Sequence, residues 1–118
     1  MDIPEMATDG KLFKFIKDYG DDQVCLLELL LFMGRHPSTR FSRLAIEQVL
    51  KSRKVYVEKA LNYLVSRGVI NRHDGRSVPV YSLGQDDSLR RSVSAMARLD
   101  WWQRQSLLRQ IYPLCSPA

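Results

Sequence analysis

Residues 57–76 read Val57-Glu58-Lys59-Ala60-Leu61-Asn62-Tyr63-Leu64-Val65-Ser66-Arg67-Gly68-Val69-Ile70-Asn71-Arg72-His73-Asp74-Gly75-Arg76. Val57, Ala60, Leu61 and Leu64 fall within about 100° of arc at helical spacing, which predicts the buried face of a helix from about 53 to 67. Ser52 is the expected N-cap and Gly68 the expected C-cap, with Arg67 in the last turn where a cation suits the helix dipole. After Gly68 the period changes. Residues 69–72 and 77–83 predict two strands around a tight turn at Asp74-Gly75, because glycine tolerates positive φ. Pro79 cannot donate to a strand ladder, so its strand is expected to pair on one side only, as in a two-stranded hairpin.

Working outward, Ser42 is placed to cap a short helix whose apolar face is Leu44, Ala45, Ile46, Val49 and Leu50, and Pro37-Ser38-Thr39-Arg40 reads as a turn. Asp21 or Asp22 caps an earlier helix running to about Met33, stopped by Gly34 and Pro37. That helix is apolar nearly all round, so it is either central or partly in a subunit interface. A first short helix covers Lys11 to about Gly20. Downstream, Leu89, Val93, Met96 and Ala97 mark one helix, and Asp100 starts another with Trp101, Leu107, Leu108 and Ile111. Trp101-Trp102 is expected in the core or in a subunit contact. The reading is a mainly α chain with a small β-hairpin, one compact domain. It comprises an N-terminal helix (1–20), a core (21–84) and a C-terminal helical extension (85–118).

The chain has 118 residues, 45% hydrophobic and 26% charged, with net charge +5. The charge is segregated. Residues 1–34 hold three lysines against seven acids, residues 35–83 ten basic residues against three acids, and residues 84–118 five against three. A concentrated positive field in the middle attracts a polyanion. Cys25 and Cys115 form no disulfide framework, suit a reducing cytosol, and with His36 and His73 show no ligand-pair spacing. The acidic N-terminus is unlike a signal peptide, and the apolar run Val24–Met33 is too short to span a bilayer. A cytoplasmic protein away from the membrane is expected. Asp21-Asp22 and Asp86-Asp87 adjoin helix starts, where capping accounts for them. No nucleophile–base set or phosphate-binding loop appears, so the expectation is a non-enzyme without cofactor or metal.

The runs Phe41-Ser42-Arg43-Leu44-Ala45, Ser52, Val57-x-x-x-Leu61-x-x-Leu64, Gly68-Val69-Ile70-x-Arg72 and Val80-Tyr81-x-Leu83 resemble the winged helix-turn-helix family of DNA-binding regulators. The resemblance covers residues 22–83. The flanking helices are similar to those of dimeric regulators of the multiple-antibiotic-resistance type. The resemblance implies a transcriptional regulator that binds double-stranded DNA sequence-specifically as a homodimer. The helix of about 53–67 would lie in the major groove, with the wing of 69–83 on the backbone or minor groove. It leaves the operator and any small-molecule effector open.

A major groove admits one α-helix, anchored by an apolar face while the other stays wet. The face opposite Val57 and Leu61 carries Val55, Tyr56, Lys59, Asn62, Tyr63 and Ser66. Ser52, Tyr56 and Lys59 are expected near bases, and Arg53, Lys54, Arg40 and Arg43 near phosphates. Arg72, His73 and Arg76 flank the wing turn, where an arginine gains in a narrow minor groove. Val55, Tyr56 and Tyr63 make this face partly apolar, with Glu58 on its edge. That pattern also fits a winged helix acting as a protein-interaction module in a larger assembly.

Overall fold

The computed structural model describes residues 10–75 and 78–111. Within them lie α1 (Gly10–Asp18), α2 (Gln23–Arg35), β1 (Phe41–Ser42), α3 (Arg43–Leu50), α4 (Lys54–Ser66), β2 (Ile70–His73), β3 (Val80–Leu83), α5 (Asp87–Ala97) and α6 (Trp101–Ile111). The chain is mainly helical with one small antiparallel sheet.

α2 is the hub. Leu26, Leu29, Leu30 and Met33 are fully buried, and only Val24, Glu28 and Arg35 of this helix are exposed. Of its two expected roles it takes the central one, so its apolar face is satisfied within the chain. Asp22 caps it by accepting from the Cys25 N–H at 3.0 Å. Gly34 does not stop it. The helix continues through Gly34 to Arg35, and a Cβ on Gly34 would lie 2.5 Å from the Val93 carbonyl oxygen and 2.8 Å from Ala97 Cβ. The glycine is there because α5 crosses at that point with no room for a side chain.

The remaining helix starts follow the sequence reading in three cases. Ser42 accepts from the Ala45 N–H and Asp86 from the Leu89 N–H. Asp100 and Gln103 cap α6 reciprocally: the Asp100 carboxylate accepts from the Gln103 N–H at 2.8 Å, and the Gln103 side-chain oxygen accepts from the Asp100 N–H at 3.1 Å. The fourth differs. The N-cap of α4 is Arg53, not Ser52, and no side chain caps it. The Ser52 side chain instead acts on the buried Cys25 thiol, whose pKa burial pushes up and Ser52 pulls back down.

Val57, Ala60, Leu61 and Leu64 are buried as their spacing predicts. Gly68, at φ +77°, closes α4 with two bonds, from the Val69 N–H to Leu64 O and from the Gly68 N–H to Val65 O. This is the Schellman arrangement, which requires a left-handed residue.

The sheet corrects the two-stranded expectation. It has three strands in the order β1-β3-β2, with Phe41 opposite Tyr81 and Ser42 opposite Val80. β3 is therefore central. Pro79 escapes conflict because pairing begins after it, at Val80. The connection is also longer than a tight Asp-Gly turn. The last paired residues are His73 and Val80, leaving 74–79 between them. The Arg90 guanidinium ties the sheet to the α2 exit, donating to the carbonyls of Pro37 at 2.7 Å and Gly84 at 3.3 Å.

Candidate nucleic-acid interface

α4 turns a narrow stripe outward. Val55, Lys59, Asn62 and Ser66, at spacings of four, three and four, are exposed along its length. Tyr56 and Tyr63, expected on the same face, are half-buried against the core. The Tyr63 hydroxyl donates to the Phe15 carbonyl at 2.6 Å, and its ring meets Tyr19 at 4.7 Å. Arg67 covers the rings of both Phe15 and Tyr63. Tyr63 thus belongs to the α1–α4 contact, and the apolar part of the outer stripe reduces to Val55.

The α3–α4 turn gathers positive charge. Lys51 ends α3 in the left-handed conformation, at φ +55°. Arg53 is the N-cap of α4 and Lys54 its first residue. Lys51, Arg53, Lys54 and Arg40 are exposed, and among the described residues no ion pair neutralises them. Of the five helices whose starts lie wholly within the described residues, only α4 lacks a side-chain cap. Its first two amides therefore have no side-chain acceptor, and two cations stand where the dipole favours acids.

Other expected contacts are partly occupied. Arg43 pairs with Glu47 at 3.2 Å and with Glu58 of α4, which clamps α3 to α4. Lys59 Nζ lies 3.1 Å from Asp21 Oδ2 in the α1–α2 connection. Arg72 pairs with Asp74 at 2.9 Å, and His73 Nε2 lies 2.8 Å from Ser82 Oγ. Ser52 is half-buried, and its side chain acts on the buried Cys25 thiol. Arg76 lies outside the described residues, as does Cys115.

The sequence reading gave Asn62 no role. Asn62 shares the outward direction with Val55, Lys59 and Ser66, and helical spacing alone does not separate it from Tyr56 and Tyr63. At the far end of the chain, Trp101 and Trp102 are 57% and 61% exposed and meet edge to face at 4.7 Å. They are not core. Among the described residues no helix is long and apolar enough to cross a membrane, and no group of His, Cys, Asp and Glu could hold a metal ion. No family model, curated protein or solved structure matches the chain.

Proposed function

We propose that this chain is a winged helix-turn-helix domain that binds duplex DNA and acts as a homodimeric transcriptional regulator. The order α3, turn, α4, strand pair supports the reading, with β1 adding the third strand at the sheet edge. One observation carries it. The uncapped start of α4 is flanked by Lys51, Arg53 and Lys54, which with Arg40 ahead of β1 are exposed and, among the described residues, without ion pairs. In this reading α4 enters the major groove with its outer stripe toward the bases. The cations and free amides of the α3–α4 turn hold phosphates, and β2–β3 lies along the adjacent backbone.

The test is salt dependence. Each neutralised phosphate contributes a slope of about −0.9 in log K against log salt, so four contacts weaken binding on the order of a hundredfold between 50 and 200 mM. Fluorescence anisotropy with the full chain and a labelled duplex reads this directly. Absence of duplex binding at low salt, or binding indifferent to salt, would remove the reading in favour of protein docking through the apolar surface at Val55.

A further inference from the structure

The outward stripe of α4 has a composition that stability does not explain. Val55 is 48% exposed, and Asn62 and Ser66 are exposed. Ser66, the last residue of α4, donates to the Tyr63 carbonyl, but valine and asparagine are poorer helix formers than alanine, lysine or glutamate, and an exposed helix position chosen for stability would carry one of the latter. Among the described residues no hydrogen bond or ion pair engages the Asn62 side chain, and Val55 is not among the residues packed in the core. Their remaining neighbour on the stripe, Lys59, is held at one flank by Asp21.

We propose that Asn62 and Val55 are specificity-determining residues, reading an adenine and a thymine respectively on the same duplex. The inference rests on the DNA-binding reading above. The chemistry of each side chain selects its base. A carboxamide offers one acceptor and one donor side by side, which matches the N6 donor and N7 acceptor of adenine in the major groove. An exposed valine has only apolar contact to offer, and the thymine C5-methyl is the one apolar group on that groove floor. Seven residues separate the two, about 10.5 Å of helix rise. One helix laid along the groove therefore contacts bases about three pairs apart. Charge complementarity favours DNA over a protein partner for this face, because Lys51, Arg53 and Lys54 stand at its N-terminal end with no ion pair among the described residues.

The experiment is selection of bound duplexes from a randomised pool, using the full chain and its Asn62→Ala and Val55→Ala variants. Both changes place a better helix former at an exposed site, so the variants keep their fold, which circular dichroism checks. The wild type selects a site containing adenine and thymine. Asn62→Ala loses preference at one adenine by about tenfold or more, with affinity for unrelated duplexes and the salt slope unchanged. Replacing the contacted thymine by deoxyuridine, which lacks the methyl, weakens the wild type severalfold and leaves Val55→Ala unaffected. An unchanged motif in Asn62→Ala, or duplex binding with no sequence preference, overturns this inference while leaving DNA binding intact. A wild type that binds no duplex overturns both.

Discussion

The ammonium of Lys59, at the middle of the outer stripe of α4, is held 3.1 Å from the Asp21 carboxylate in the α1–α2 connection. The Asp21 carboxyl is lowered first by its hydrogen bond with Lys59, then by the Asp22 N–H donating to it at 3.0 Å. A carboxylate at that place does two things to an approaching polyanion. It repels phosphate and occupies a cation that phosphate would otherwise meet.

Asp21→Asn is therefore expected to strengthen duplex binding and to steepen the salt dependence, as a repelling carboxylate is removed and Lys59 is freed. Acid acts in the same direction. A lowered folded-state pKa means that the Asp21 contribution to stability is present above the unfolded carboxylate pKa and is lost as pH falls through the folded value. Duplex titrations of wild type and Asp21→Asn at two salt concentrations check the prediction. Equal affinities would show that Lys59 is not withheld.

Arg53→Asp separates stability from binding. Aspartate at the N-cap accepts from the free amides of the first turn and complements the dipole, where Arg53 does neither. The variant is expected to gain about 1 kcal/mol in denaturant unfolding while its duplex affinity falls by tenfold or more. Retention of full affinity in the stabilised variant would take the α4 start out of the interface.

The two tyrosines between α1 and α4 carry opposite signs. The Tyr19 hydroxyl is buried with no hydrogen-bond partner among the described residues, and burial, with Asp21 next in weight, pushes its pKa up to about 12. The Tyr63 hydroxyl donates to Phe15 O at 2.6 Å. Tyr19→Phe removes a desolvated group that has no partner and is expected to be neutral or to stabilise by about 1 kcal/mol. Tyr63→Phe leaves the Phe15 carbonyl unpaired and is expected to destabilise by about 1–2 kcal/mol. Chemical unfolding of the two variants decides it, and equal shifts of the same sign would refute the assigned contacts.

What the sequence revealed follows from what each signal measures. Helical spacing reports a single helix, so Val57, Ala60, Leu61 and Leu64 are read correctly from the chain alone. The same wheel placed Tyr63 outward because it does not know that α1 lies against that flank. Ser42 and Ser52 look alike as caps. Only Ser42 caps, because α4 starts one residue later than the spacing suggests, with Arg53 as its N-cap. Gly34 reads as a stop because its real constraint, the Val93 carbonyl, is 59 positions away. β1 is two residues long and cannot carry an alternating pattern. It is a strand because the free edge of β3 accepts it.

The exposed tryptophans are the remaining feature of the C-terminal extension. With α2 covered inside the chain, the exposed Trp101 and Trp102 of α6, which meet edge to face, are the apolar contact expected for the homodimer proposed above. Large amphipathic rings carry much of the energy at such contacts. Replacing both by serine leaves the described core untouched, since α6 is anchored by the buried Leu107. The double variant is expected to be a folded monomer by light scattering under conditions where the wild type is a dimer. It should also bind a single half-site with wild-type affinity but lose the gain from a two-fold repeated site. A wild type that is itself monomeric at binding concentrations, or a serine variant that still dimerises, would place subunit pairing elsewhere or nowhere.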